Sequence, residues 1–218
     1  MSPVSARMAY GEGDEPTVNR GKTLMKTRDR ILAAALDLFN AEGVSGLSAV
    51  DVASAMGISA GHLYYHFKGK AELVAELVSR HRDEVDLVLT SLSEAMEVPE
   101  ATLETLWTHV HILVEEAWDA RFFYREPALA MGQAEVGRHA RHIFHQQHAV
   151  FATAILALDQ SGQLQAPAEI ADGLARQMVT GVAFHTHVLE MAGDVGPPRE
   201  RIARAAAQIM IPVAGLAT

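Results

Sequence analysis

The stretch Gly57-Ile-Ser-Ala-Gly-His-Leu-Tyr-Tyr-His-Phe-Lys-Gly-Lys70 crowds three aromatic rings, two histidines and two lysines into ten residues after a glycine. Tyr64 and Tyr65 carry a hydroxyl for a phosphate and a ring for a thymine methyl. His62, His66, Lys68 and Lys70 carry donors for phosphate oxygens. Small residues at Ala60 and Gly61 let a backbone approach base edges closely. A helix that only filled a core would have no use for this set. Helical spacing from Leu63 and Phe67, which with Ile58 point inward, turns Ala60, Gly61, Tyr64 and in part Tyr65 to other faces. Lys70 stands beside the start of the next helix, where free amides also favour an anion.

A second set of residues suggests metal chemistry. The chain holds eleven histidines, and His139, His142, His145 and His148 recur at every third position. On a helix each step of three rotates backward by about 60°, so His139 and His148 face opposite sides. At most an adjacent pair could hold one ion, with a third ligand from His109, His111, His185 or His187. A metal sensor built on these histidines is therefore an alternative reading, and a helical metal-dependent enzyme a weaker one. HExxH, P-loop and GxSxG patterns are absent, and no carboxylates stand at a characteristic catalytic spacing. The expectation is no enzyme, no cofactor and no committed metal ligand.

The elements that must position these residues are helical almost throughout. Ile31, Leu32, Ala35, Leu36, Leu38 and Phe39 recur at helical spacing and stop at Gly43. Ser48-Ala-Val-Asp51 reads as a capping box opening a short helix that Gly57 ends. Ser59 caps the next, which closes near Phe67. A long helix follows from Lys70 to about Glu97, then helices at 100–119, 121–132 (with Pro127 as a kink or break), 134–160, 168–192 and 198–211. No segment alternates with period two. The expected fold is all-α: a disordered arm over 1–22, three short helices over 23–69, and a larger bundle over 70–218 entered through the helix 70–97. Three short helices with a glycine turn between the second and third describe a helix-turn-helix.

Charge agrees with that division. The net charge is −9, yet Arg20 to Arg82 carries nine Lys and Arg against six Asp and Glu, while Asp83 to the end carries eight against eighteen. All four lysines fall in the first third of the chain. A polyanion would be tolerated by the first part and repelled by the rest. The first twenty residues lack an apolar stretch and carry three acids, so no secretory signal is read there. No run is apolar enough to span a membrane. Without cysteine there is neither disulfide nor thiolate ligand, which fits a reducing cytosol, and a cytoplasmic location is expected.

With these residues in place, the segment Thr27 to Leu73, "TRDRILAAALDLFNAEGVSGLSAVDVASAMGISAGHLYYHFKGKAEL", resembles the DNA-binding domain of the TetR family of bacterial regulators. The resemblance covers about a fifth of the chain. It implies phosphate contacts from Ser48, Tyr64, His66 and Lys70, and base or groove contacts from Ser59, Ala60, Gly61, His62 and Tyr65. Ala60 stands where family members often carry a longer polar residue, which shifts base readout toward His62 and van der Waals contact. The family also implies a ligand domain that dimerises through its last two long helices, a near-palindromic DNA operator, and a small-molecule inducer that releases a repressor.

The second half is compatible with this. The helix at 168–192 carries an apolar stripe of Ile170, Leu174, Met178, Val182, His185 and Val188, with Ala171, Ala175, Gly181 and Ala183 small enough for a partner to approach. The stretch "AWDARFFYREPALAMG" resembles a segment of the ligand domain in one subgroup of these regulators. Trp107, His111, Trp118, Phe122, Phe123, Phe184 and His185 are the candidate pocket lining, aromatic with a few polar groups.

Overall fold

In the computed structural model, residues 26–98, 101–194 and 196–218 are described. The expected arm at 1–22, with Arg20 and Lys22, lies outside them. Three helices come first: α1 (Thr27–Glu42), α2 (Ala49–Ala55) and α3 (Ala60–His66). Seven follow: α4 (Lys70–Met96), α5 (Leu103–Asp119), α6 (Arg121–Arg125), α7 (Ala128–Gly132), α8 (Ala134–Gln160), α9 (Ala168–Met191) and α10 (Pro198–Ala214). The chain is all-α over the described residues, and no described helix is long and apolar enough to cross a membrane.

Local chemistry sets the boundaries of the first three helices. The Ser48 hydroxyl accepts from the Asp51 amide at 3.3 Å, and the Asp51 carboxylate accepts from the Ser48 amide at 2.7 Å, a reciprocal cap. Gly57 turns the chain at φ +67°, a left-handed value that a side chain would strain. The Ser59 hydroxyl then accepts from the His62 amide. Ile31, Leu32, Phe39, Val52, Ala53, Leu63 and Phe67 are fully buried and form the small core of this head.

At 27 residues α4 is about 40 Å long. Its first turns bury Leu73, Val74, Leu77 and Val78, and its later turns bury Val85, Leu89 and Leu92. It packs along α8 and α5, while α9 packs on α8 and α10 on α9 and α5. Arg28 pairs with Glu76 at 2.8 Å and Arg80 with Asp29 at 2.7 Å, tying α1 to α4. Half-exposed pairs of this kind contribute about 1 kcal/mol or less each.

One sequence alternative is decided here and one expectation corrected. Of the kink or break expected at Pro127 within 121–132, the chain takes the break and forms two single turns, because Pro127 has no amide to donate and keeps Glu126 out of the helical region at φ −124°, ψ 70°. The small residues of α9 serve this chain's own packing and not a partner. Ala171, Ala175 and Ala183 are buried within the chain, and a Cβ on Gly181 would stand 2.6 Å from Ile209 Cγ1 of α10. Gly181→Ala is expected to destabilise by about 1–3 kcal/mol through overpacking. Thermal unfolding checks this, since a chain of this size loses about 2–4 °C per kcal/mol.

Candidate nucleic-acid interface and effector cavity

Seven residues long, α3 hides one side and presents the other. Leu63 is 0% exposed and Phe67 1%, whereas Tyr64 is 49% exposed and Tyr65 84%. Ser59, Gly61 and His62 are also exposed, and Ala60 and His66 half-buried. The rings stand close together: His62 and His66 have centroids 5.6 Å apart, and the Tyr65 edge meets His66 at 5.0 Å. Gly61 faces open space, since an added Cβ would meet nothing nearer than Ser59 Oγ at 4.0 Å. Behind the helix, Arg28 lies 4.6 Å over the Phe67 ring while holding Glu76. The outward face is thus polar, aromatic and uncovered, on a helix anchored by two apolar plugs.

Lys70 has an internal role that its sequence position does not reveal. Its ammonium donates to the Val44 carbonyl at 2.9 Å and the Leu47 carbonyl at 2.5 Å, fastening the turn between α1 and α2 to the start of α4. One of its three N–H bonds is left for an external acceptor. That turn also carries Ser48, whose hydroxyl sits on Asp51 Oδ2.

Besides α4, the head is joined to the body through α6 and the residues on either side of it. Asn40, buried at the end of α1, donates to the Asp119 carbonyl at 2.6 Å and accepts from the Phe122 amide at 3.0 Å. Arg125 donates to the Asn40 carbonyl at 2.8 Å and to Glu190 of α9 at 2.7 Å. The Glu126 carboxylate accepts from the Val44 amide, the Ser45 amide at 3.1 Å and the Ser45 hydroxyl. The Phe122 ring lies 6.0 Å from Phe39 inside the head. The next two rings, Phe123 and Tyr124, turn the other way and line an apolar cavity of about 60 Å³ with Pro127, Ala130, Phe144 and Phe184.

The expected pocket residues are therefore only partly gathered. Phe123 and Phe184 share that cavity. Phe122 belongs to the head contact. Trp107 lies in a separate depression with Leu103, Glu104, Met210 and Ala214, and His111 stacks on it at 5.5 Å. The Arg121 and Arg201 guanidinium groups lie over the Trp118 ring at 4.9 and 4.4 Å. His185 bonds Gln208 of α10.

The histidine series does not converge either. His139 faces Arg82 at 3.1 Å, His142 pairs with Asp86 at 2.9 Å, His145 is exposed, and His148 reaches Asp172 at 2.9 Å. The alternative reading of a metal sensor built on these residues has no support in their placement. Sequence reasoning missed a different set, His81 and Glu84 on α4 and Glu116 on α5. Burial pushes the His81 ring down to about 4. Burial first, and then the neighbouring Glu84 and Asp119 charges, push the Glu116 carboxyl up to about 7. The spacing of His81 and Glu84 on one helix face is visible in the sequence. The approach of Glu116 is not.

The comparisons fit this anatomy. Residues 31–77 match the family described as "Bacterial regulatory proteins, tetR family", and residues 87–218 match one described as "Bacterial transcriptional repressor". Among curated relatives, the regulator SrpR of Pseudomonas putida is 30% identical over 92 residues, covering 42% of this chain and 39% of SrpR. The probable regulator YttP of Bacillus subtilis is 30% identical over 106 residues, 47% of this chain and 51% of YttP. The chain thus spans about half or less of the length of these relatives. A TetR-family regulator from Marinobacter aquaeolei superposes with a TM-score of 0.77 at 24% identity, covering 89% of this chain and 92% of that one. The ketosteroid transcriptional regulator KstR2 of Mycobacterium tuberculosis gives a TM-score of 0.68 at 19% identity, covering 89% and 97%. A triclosan complex of SmeT gives 0.60 at 17%, covering 88% and 91%. SrpR, YttP, the Marinobacter protein and KstR2 are all named as transcriptional regulators. With one matched stretch covering the head and another covering most of the body, the chain belongs to the TetR family of bacterial regulatory proteins.

Proposed function

We propose that the protein is a dimeric, sequence-specific DNA-binding repressor released from its operator by a small apolar, ring-containing effector. The observation that carries the reading is the double face of α6 and the residue after it: Phe122 and Glu126 hold the head, while Phe123 and Tyr124 line the cavity. At about 60 Å³ the cavity has room for about two waters, far less than the several hundred cubic ångströms of a ligand pocket. An effector must therefore widen it, and the adjoining walls are α6, α7, α8 and α9. Moving α6 moves the anchors of the head. Driving such a two-state equilibrium from about 1:99 to 99:1 needs about 5.5 kcal/mol of differential affinity, so the effector must bind the widened form about ten-thousandfold better. An apolar, aromatic lining favours a hydrophobic ring. The triclosan and ketosteroid named for SmeT and KstR2 are compounds of that kind.

On this reading Ser59, Gly61, His62, Tyr64 and Tyr65 enter the major groove or line it, and Ser48, His66 and the third N–H of Lys70 meet phosphates. The test is selection of bound duplexes from a random pool, then a screen of ring-containing compounds for release, read by anisotropy of labelled DNA. Release by compounds whose binding is lost on Phe123→Ala is the expected result. A compound that occupies the cavity but leaves DNA affinity unchanged would contradict the mechanism.

The second copy of the chain is proposed to cover α9 and α10. Ile170, Phe184, Val188, Met191 and Ile211 are exposed along these two helices, a large apolar surface for one chain to leave in water. Two-fold symmetry would give two α3 helices one DNA turn apart. Val188→Glu places two charges in that interface. Sedimentation is expected to show a monomer, and operator affinity to fall by at least about tenfold. A variant that remains dimeric would move the interface elsewhere.

A further inference from the structure

Beneath the head, three potential metal ligands meet where no role has yet been given them. One ring nitrogen of His81 and one carboxylate oxygen each from Glu84 and Glu116 all lie within 4.8 Å of one another, the one such group among the described residues. His81 is only 2% exposed. Its Nε2 is engaged with the Tyr124 hydroxyl at 2.7 Å, and its Nδ1 is buried without a hydrogen-bond partner. A buried ring nitrogen without a partner is costly unless something fills the place. Nε2–H donating to Tyr124 would fix the tautomer that leaves the Nδ1 lone pair free, the outer-shell arrangement common to metal-bound histidines.

We propose that His81 Nδ1, Glu84 and Glu116 bind one divalent transition-metal ion of the zinc class, with water in the remaining position. One imidazole and two carboxylates suit such an ion, whose bonds of about 2.0–2.2 Å would draw tetrahedral ligand atoms to about 3.4 Å apart, within the 4.8 Å that bounds the group. Arg80 is the nearby competing cation, but its guanidinium is directed to Asp29 at 2.7 Å and Glu76 at 3.4 Å. A cleft of about 200 Å³ between α1, α4 and the end of α5, lined by Asp29, Arg80, His81, Glu84 and Asp119 among others, gives an entry path. The ion would join α4 to α5 beside the wall that α1 supplies. This differs from the histidine series of α8, and it requires no DNA or effector.

The test uses the full-length chain, freed of metal by chelator and dialysis. Zn²⁺ is titrated by calorimetry, and Co²⁺ by its visible absorption. The expected result is one equivalent per chain of micromolar affinity or tighter, a rise in melting temperature with Zn²⁺, and a loss of about tenfold or more in both Glu84→Gln and Glu116→Gln. Tyr124→Phe, which leaves every proposed ligand in place, is expected to weaken binding about tenfold by releasing the ring. His142→Gln should bind as the parent does. His81 is left unchanged because its burial would turn any substitution into a test of folding. Absence of a stoichiometric site overturns the proposal. So does binding that survives both glutamine variants, or that is lost in His142→Gln.

Discussion

Gly61→Glu is expected to abolish operator binding while leaving the protein as stable as before, or slightly more so. Gly61 is the second residue of α3, exposed, and in an ordinary helical conformation, with no atom nearer than 4.0 Å to the position of an added Cβ. The fold has no steric objection to a side chain there. Glycine is about 0.8–1 kcal/mol worse than alanine inside a helix, and a carboxylate in the first turn gains a few tenths more from the helix dipole. The folding balance therefore tips toward the variant by about 1 kcal/mol. The DNA balance tips the other way. The carboxylate projects from the uncovered face, beside His62 and Tyr65, where the proposed docking brings phosphates and base edges. Like charges brought together across an interface cost several kcal/mol, and a dimer suffers this twice. Affinity should fall by about 100-fold or more at moderate salt. Melting curves and anisotropy of a labelled operator separate the two effects. Gly61→Ala, which adds bulk without charge, should lose less. If Gly61→Glu binds the operator within threefold of the parent, α3 does not enter the groove by this face.

The parts of this protein legible in its sequence are those fixed by near neighbours. The alternation of Leu63 and Phe67 with Tyr64 and Tyr65 is a helical period, and Ser48 and Ser59 are caps acting over three residues. Such features need no knowledge of the fold. Lys70 shows where this kind of reading stops. Its type and place suggest a phosphate ligand, but its ammonium reaches carbonyls 26 and 23 residues away, contacts set by how the head closes. In the "RFFYR" run both Phe122 and Phe123 read as pocket lining, and nothing in the sequence says that Phe122 faces the head and Phe123 the cavity. On α9, Gly181, which reads as room for a partner, proves to be room for Ile209 of the same chain, because spacing cannot tell which neighbour fills a groove. The three-residue spacing of the α8 histidines turns them in different directions, and their partners are accordingly separate. The acids that hold two of them, Asp86 and Asp172, come from other helices.

Glu126→Ala tests the joint between cavity and head, and its expected effect is large for a residue outside both. The Glu126 carboxylate is the acceptor for two consecutive backbone amides, Val44 and Ser45, and for the Ser45 hydroxyl, across 82 and 81 positions of sequence. It also comes close against Gly43, where a Cβ would stand 2.8 Å from Oε1 and φ is +82°, so the turn is shaped around it. Removing the side chain strands two amides that only water can then satisfy. Charged hydrogen bonds of this kind contribute about 1.5–3 kcal/mol, and part of the loss is recovered by solvation because Ser45 is exposed. A loss of about 2 kcal/mol, or roughly 4–8 °C, is expected in thermal unfolding. The more specific consequence is local. Hydrogen exchange at Val44 and Ser45 should accelerate by about tenfold or more, while the amides of α8 and α10 slow or quicken only with global stability. Asn40 and Arg125 still tether the head, so operator affinity in the absence of effector should stay within a few-fold of the parent. The effector concentration needed for half-release should rise by about tenfold, since one of the struts between α6 and the head is gone and the coupling free energy falls by about 1.4 kcal/mol. If release is unchanged while exchange at the turn accelerates, the head is driven through α4 and its ion pairs with α1, and α6 only seals the joint.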